Sequence, residues 1–418
     1  MAELWAGTDA GKAEHHCTVI DTSGTKLLSR RVPNNEPELL ELLGEVLALA
    51  DGDPVTWAVD LNAGGAALWI ALLTAHGQQV IYIPGRTVHH ASSSYRGDGK
   101  TDAKDAFVIA DQARMRRDLQ PLQEWDEIAV DLRILTGRRY DLSADRTRAI
   151  NRLRAQLLEY FPALERAFDY NTSKAALTLL TGYQTPAGLR RMGQSRLAAW
   201  LANRKVRNAS AVAATAIDAA NLQHTQIPGE KTAAVMACTL ARAVADLDHE
   251  IARIDAQIEA RFREHRHAEA ITSMPGIGSL LGAELVACTG GDIASFGSAG
   301  RLAGVAGLAP VPRDSGKISG NMRRPRRYHR RLLRVFYLSA QVAARCCPTS
   351  QAFYQRKRHE GKRQAGRART RPATPRRALG AHTRPTHLHR RATSPRPRSG
   401  IANTPGVTSS LTNHIGNH

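Results

Sequence analysis

Asp9, Asp60, Asp102 and Asp105 are the residues whose type and spacing point most directly to chemistry. Asp9 closes the apolar run in WAGTDAGK and Asp60 closes TWAVD, while Asp102 and Asp105 stand three apart in KTDAKDA, on one face at the start of a helix. Carboxylates gathered at one place repel one another unless a cation lies between them, and such hard oxygen donors suit Mg²⁺ or Mn²⁺. Two such ions about 4 Å apart activate a nucleophile and stabilise a leaving oxygen in phosphoryl transfer. The same residues also admit a structural explanation. Asp102 would cap a helix with Asp105 at its third position, favoured by the helix dipole, and Asp9-Ala-Gly-Lys would be a hairpin turn.

Ser315, in PRDSGKISG, is a second candidate, although a serine in a glycine-flanked loop is commonly a turn residue. Arg313, Lys317, Arg323, Arg324, Arg326 and Arg327 surround it with positive charge that would hold a phosphodiester and stabilise charge in a transition state. A serine oxygen also needs its proton removed; Asp314 is the adjacent acid, and it is equally a solvated turn residue. The run RRPRRYHRRLLR, which includes Arg330 and Arg331, has seven arginines, no acid and an interleaved Tyr328, a pattern that favours nucleic-acid contact over a merely solvated helix face. Pro275-Gly276-Ile277-Gly278 before a helix resembles the hairpin of helix–hairpin–helix modules, in which backbone amides receive a phosphate; an ordinary turn explains it as well. Arg96, Lys100 and Lys104, close to the acidic pair, are further candidates for phosphate contact.

The elements that must position these residues follow from periodicity. Leu4 to Asp9, His16 to Asp21 and Lys26 to Val32 read as three strands joined by turn-rich segments, suited to antiparallel pairing. Glu36 to Ala50 has leucines at helical spacing, Val55 to Val59 reads as a buried strand, and a helix (Ala66 to His76), a strand (Gln79 to Ile83), a short helix near Arg86 and a longer one (Thr101 to Arg116) follow. That order is the order of an RNase H-like fold. It sets the first and fourth strands side by side, so that Asp9 and Asp60 meet and the last helix lays Asp102 and Asp105 against them. From about Trp125 the pattern is helical, residues 170 to 228 read as small helices joined by Gly and Pro turns, and Glu230 to Arg263 carries a heptad seam (Leu240, Val244, Leu247, Ile251, Ile254, Ile258). That seam suits a helix packed within its own domain, a coiled-coil hairpin or a dimer. A helix from Ser279 to Cys288 and another from Tyr328 to Arg345 complete the patterned chain. The expected organisation is α/β plus α: an acidic RNase H/RuvC-like domain over 1–120, a helical coiled-coil connector over 121–268, a mainly helical unit with Ser315 over 269–358, and a disordered Arg/Pro-rich tail over 359–418.

Composition narrows the function classes. The chain has 418 residues and a net charge of +20, but the segment from Gly361 to His418 contributes 12 Lys and Arg and no acid, leaving 46 basic against 38 acidic residues in the rest. Polyanion contacts in the body must therefore come from local patches. The five cysteines show no zinc or redox spacing and read as reduced thiols, and the histidines form no metal motif. The most apolar stretches, Ala66 to Leu73 and Ile277 to Ala287, are too short to span a bilayer, and no leader-like segment opens the chain, so a cytoplasmic location is expected.

Taken together, GTDAGK, AVD, YRGDGKTDAKDAFVIADQARMRRDL, MPGIG and LAGVAGLAPVPRDSGKISGNMRRPRRYHRRLLRVFYLSA resemble the DEDD-type insertion-sequence transposases, relatives of the pilin-gene invertases, over roughly residues 1 to 360. The resemblance implies a RuvC-like domain, a coiled-coil connector and a C-terminal transposase domain. It implies Mg²⁺ or Mn²⁺ at Asp9, Asp60, Asp102 and Asp105, and at Ser315 a nucleophile that links covalently to DNA. It further implies donor and target DNA as partners, a structured guide RNA from the same element, and a homo-oligomer, dimer or tetramer, that pairs the acids of one subunit with the serine of another. Two departures stand out: the second acidic place is usually Glu and here is Asp60, and the tail after RKR replaces an expected helix. The abrupt loss of acids and apolar periodicity motivates the hypothesis of a frameshift near Lys362, which the absence of a better-patterned alternate frame in the gene would refute. Three other readings remain on the sequence alone. They are a RuvC-like nuclease using water, an ATP-dependent kinase or ATPase sharing the RNase H-like core, and an inactive nucleic-acid-binding relative; the arginine-rich C-terminal unit disfavours the second.

Overall fold

The computed structural model describes residues 3–96, 99, 101–119, 121–122, 126–316 and 319–360. Lys100, Lys317 and the tail from 361 onward lie outside these residues. The chain divides into two compact units, Met1–Asp131 and Leu132–His418.

In the first unit, β1 (Leu4–Ala10), β2 (Glu14–Ile20) and β3 (Lys26–Pro33) form an antiparallel meander, followed by α1 (Glu36–Ala50), β4 (Val55–Val59), α2 (Ala67–Ala75), β5 (Gln79–Tyr82), α3 (Gly85–Ser92) and α4 (Asp102–Met115). The sheet order is β3-β2-β1-β4-β5, with β4 parallel to β1 and β5 parallel to β4. This is the RNase H-like order. Both faces of the sheet are covered, which is why β1 and β4 read as continuous apolar runs rather than alternating ones. One face packs Leu4, Ala6, Val55, Trp57 and Val59 against Leu39, Leu42 and Val46 of α1 and Trp69, Ile70 and Leu73 of α2. Trp57 and Trp69 meet edge to face at 5.3 Å, and the Trp69 indole donates to the buried Thr8 hydroxyl at 3.2 Å. The other face carries Trp5, Ile20 and Ala58 against Val108, Ile109, Ala110 and Ala113 of α4.

Gly7, in the middle of β1, sets how closely α4 approaches. A Cβ there would fall inside van der Waals contact with the backbone of Ala106 and Ala110, so the helix lies directly on the strand. At the far end of α4, Arg114 binds Asp111 and donates to the carbonyl of Thr22 in the β2–β3 turn, while Tyr95 donates to Asp111 at 2.7 Å. Asp111 is buried, and these donors offset the cost of burying its charge.

The second unit is helical. α5 (Glu127–Tyr160), inside which the boundary between the units falls, leads to α6 (Pro162–Ala167), α7 (Lys174–Leu180), α8 (Pro186–Met192), α9 (Gln194–Ala202), α10 (Ala209–Asn221) and α11 (Glu230–Arg263). α5 and α11 run antiparallel, tied by Arg138 to Glu250 at 2.7 Å and by Arg139–Asp255 and Arg146–Asp248 pairs. Of the heptad seam, Val244, Ile254 and Ile258 are buried and Leu240, Leu247 and Ile251 are half-buried. The small helices α6 to α10 pack with the adjoining ends of α5 and α11 around Tyr160, Phe161, Tyr170, Leu180, Leu197 and Leu201. α12 (Ala268–Thr272), α13 (Ser279–Thr289), α14 (Ala299–Val305), the two-residue strands β6 (Val311–Pro312) and β7 (Met322–Arg323), α15 (Arg330–Cys346) and α16 (Pro348–His359) complete the described chain. All five cysteines are free thiols, and burial pushes those of Cys17 and Cys288 up to about 12, so both are protonated at neutral pH. Among the described residues no helix is long and apolar enough to cross a membrane.

Candidate active site

Side-chain alternation places Asp9 and Asp60 on the same face of the sheet as Trp5, Gly7 and Ala58, the face that α4 covers. Thr8 pairs with Val59, so Asp9 and Asp60 follow one another at the adjacent C-terminal ends of β1 and β4. α4 runs opposite to β1: Arg114 at its end meets Thr22, just past Ile20, the partner of Trp5, and Asp102 at its start meets Arg31, whose register partner His16 pairs with Asp9. The four acids thus share one end of the sheet.

The structural explanations offered for these acids by the sequence fit in part: Asp102 and Asp105 do lie in the first turn of α4, where the helix dipole favours them, but neither is the cap. The α4 cap is Thr101, whose hydroxyl accepts the Lys104 amide at 3.2 Å, so Asp102 is the first helical residue and is not needed to end the helix. Asp9 lies within β1, paired with His16, rather than in the turn. Asp60 Oδ1 accepts the Ala10 N–H at 3.0 Å, fixing the acid to the end of the neighbouring strand. Burial, and further the negative charge of Asp105, push the Asp60 carboxyl up from its ordinary value against the pull of that amide. Asp102 meets Arg31 at 3.2 Å, and Arg31 also meets Glu14 at 3.2 Å. Among the described residues no three His, Cys, Asp or Glu side chains converge closely enough to hold a metal ion.

Arg31 escaped the sequence reading. It stands two strands from Asp9 in sequence order, yet the register carries Asp9 to His16 and His16 to Arg31, setting a cation beside the acidic end. Only strand pairing could have disclosed it. Arg96 is exposed, and Lys104 is half-buried in the first turn of α4.

In the second unit, Ser315 is exposed in the loop between β6 and β7. Asp314 accepts the Asn321 amide at 2.9 Å and Asn321 donates to the Arg313 carbonyl, so this acid closes the loop. Arg313, Arg323, Arg324, Arg326, Arg327 and Arg330 are exposed, with Arg324 lying over the Tyr328 ring at 4.9 Å. Arg331 is not like them. It donates to Glu284 at 3.1 Å and to Thr136, while Arg334 takes the other Glu284 oxygen at 2.7 Å, so a carboxylate with 9% side-chain exposure is neutralised inside the bundle. The Pro275 to Gly278 turn is likewise occupied. Gly276 has φ 73 and no room for a Cβ against Val342 of α15, and the Pro275 carbonyl accepts Ser339 Oγ at 2.8 Å. Gly278 precedes α13 with open space where a Cβ would be.

The described chain thus joins an RNase H-like α/β unit to a largely helical one. Residues 6–162 match the model of the DEDD transposases of IS110 type, and residues 268–355 match that of the transposase IS116/IS110/IS902 family. The IS900 uncharacterized 42 kDa protein of Mycobacterium paratuberculosis is 65% identical over 360 residues, 86% of this chain and 90% of that one. The IS116 uncharacterized 44.8 kDa protein of Streptomyces clavuligerus is 51% identical (86% and 89%), and the IS110 uncharacterized 43.6 kDa protein of Streptomyces coelicolor is 36% identical (86% and 88%). T. thermophilus RuvC in complex with a Holliday junction substrate matches at 16% identity and a TM-score of 0.23, covering 29% of this chain and 99% of that one; the fold assignment rests on the sheet order instead. The chain belongs to the IS110/IS116/IS900 family of insertion-sequence transposases. It is a transposase, an enzyme that cuts and joins DNA.

Proposed function

We propose that this transposase breaks and rejoins DNA through a composite site, in which Asp9, Asp60, Asp102 and Asp105 hold Mg²⁺ or Mn²⁺ and Ser315 is the nucleophile. The observation that supports the reading is that β1, β4 and α4 each bring an acid toward the same end of the sheet, where Asp102 and Asp60 also hold Arg31 and the Ala10 amide and would have to converge further to bind the ion. Oxygen donors alone, with like charge on Asp60 and Asp105, favour a hard divalent cation, and Asp102 would exchange Arg31 for it. When bound, such a cation stabilises charge on the attacking and leaving oxygens. Ser315 Oγ forms a bond to a DNA phosphorus as its proton passes to solvent, and the bond from that phosphorus to the neighbouring deoxyribose oxygen breaks, that oxygen taking up a proton from solvent, so that one phosphodiester replaces another and its energy is conserved for rejoining. The exposed arginines around the β6–β7 loop neutralise the phosphate during attack.

Incubation with element-end DNA and Mg²⁺, followed by denaturing electrophoresis, tests this directly. Wild type forms a covalent protein–DNA adduct, and Ser315→Ala and Asp9→Asn form none. Cleavage without any adduct would replace the reading with a nuclease using water, which is favoured by one observation: Asp314 is engaged with Asn321 and does not serve as an evident base for Ser315. Neither cleavage nor adduct would make the chain an inactive nucleic-acid-binding relative. A structured guide RNA, and an oligomer that joins the acids of one subunit to the serine of another, complete the proposal. Sequencing of co-purified RNA and light-scattering mass of the RNA-bound protein test them; absence of an enriched transcript would remove the guide.

A further inference from the structure

We infer that α8, α9 and the turn after α9 form a second nucleic-acid surface, one that grips a sugar–phosphate backbone with Arg191, Arg196, Arg204, Lys205 and Arg207 around Trp200. Between Asp169 and Asp218 the chain has seven Lys and Arg and no acid. These residues fold into a packed module with its own apolar core, so the charge is displayed on a fixed scaffold rather than on a tail.

Two observations separate this patch from an ordinary solvated face. The first is the lack of compensation. On the neighbouring long helices Arg138 pairs with Glu250, Arg139 with Asp255, Arg146 with Asp248 and Arg154 with Glu165, and the arginines without an ion pair among the described residues, Arg133, Arg152, Arg242 and Arg253, are spread along the two helices rather than clustered. Arg191, Arg196, Arg204, Lys205 and Arg207 are all exposed, and among the described residues none has an acidic partner. The second is preorganisation. Arg196, Trp200 and Arg204 recur every four residues, on one face. Arg196 is held by donating to the Arg191 and Met192 carbonyls at 2.6 and 2.8 Å, where α8 ends. Arg204 lies 3.7 Å over the Trp200 ring and donates to the Trp200 carbonyl. Trp200 is itself seated on Gly182, where a Cβ would collide with the indole, and against Tyr183 at 5.1 Å. Lys205, three residues past the end of α9, is in the left-handed conformation (φ 61), where glycine costs less.

Guanidinium groups fixed by neutral carbonyls and an aromatic ring keep their charge and their remaining donors for phosphate oxygens. The nine residues of α9 rise about 13 Å, enough to follow several phosphates of one strand. The chemistry is shared by duplex DNA and by RNA, and the two are separated by experiment. This surface does not depend on Ser315 or on the acids, so its test is a binding measurement made without divalent metal.

The full chain is titrated, with chelator present, against a fluorescent random-sequence duplex DNA and against an RNA hairpin, at several salt concentrations. Arg191→Gln/Lys205→Gln/Arg207→Gln alters three side chains that make no hydrogen bond among the described residues. It is expected to weaken binding of at least one probe roughly tenfold and to make the dependence of log affinity on log salt shallower by about 2–3. The charge-keeping Arg191→Lys/Arg207→Lys binds as wild type does. Loss confined to the duplex assigns the surface to DNA, and loss confined to the hairpin assigns it to RNA. Unchanged affinity and slope for both probes would overturn the inference, as would equal loss in the charge-keeping variant.

Discussion

Asp60 carries the sharpest expectation at the scale of single residues. Its carboxyl is raised by burial and by Asp105, and its Oδ1 is held by the Ala10 amide, so its position is set by the strand end rather than by a flexible side chain. Asp60→Asn keeps that hydrogen bond and removes the charge; DNA cleavage by the variant is expected to fall at least ~100-fold with folding intact, measured on element-end DNA. Asp60→Glu adds one methylene and keeps the charge, and is expected to retain activity within about tenfold. Equal and complete loss in both variants would mean that length matters as much as charge. The arginines show how far residue type alone can mislead. Arg330 and Arg331 are adjacent and chemically identical, yet one is exposed and the other neutralises a buried glutamate. The run of basic residues gave no sign of the difference, because Glu284 is distant in sequence.

Among the elements, α4 is the one on which the acidic end depends. Its close approach to β1 needs the absence of a side chain at Gly7, so Gly7→Ala should push the helix outward and lower stability by about 2–3 kcal/mol, read by thermal melting, with a fall in cleavage as Asp102 and Asp105 move. An unshifted melting temperature would show that the contact is relieved elsewhere. α15 offers a pH test. His329 caps it by accepting the Leu332 amide through Nδ1, and burial, then the charge of Arg331, hold its pKa below the ordinary 6.5, with Glu284 pulling the other way. The folded pKa lies below the unfolded one, so on acidification the unfolded chain is protonated first. The stability from this cap is complete above about pH 6.5 and is lost as pH falls through the folded value. His329→Asn, which keeps a capping acceptor without titrating, should flatten the melting-temperature profile between about pH 7 and 5. Superimposable profiles would exclude the cap as a source of acid sensitivity.

For the whole molecule, the proposed function divides between the two units: the acids lie in the one, Ser315 with exposed arginines in the other. Metal removal should therefore divide the functions. EDTA is expected to abolish strand cleavage, with Mg²⁺ or Mn²⁺ restoring it, while DNA binding through the arginines persists and weakens with salt. Cleavage that survives exhaustive chelation would detach the acids from catalysis.

The sequence by itself determined the strands and long helices, the RNase H-like order, and the acidic positions, because apolar period and chain order are local properties that a packed sheet must obey. Strand ends differ by a few residues where pairing, not propensity, sets them: β2 starts at Glu14 rather than at the expected His16. Of the heptad seam, Val244, Ile254 and Ile258 are buried within the chain, and α5 and α11 are tied by ion pairs more than a hundred residues apart in sequence, which no local pattern discloses. Tertiary structure alone decided that Thr101 caps α4, that Arg31 stands beside Asp102, that Asp314 closes its loop and that Gly276 packs on Val342. Each of these depends on which side chains meet across the fold, and a charge or a glycine reads the same in sequence whether it is spent on packing or left for a ligand.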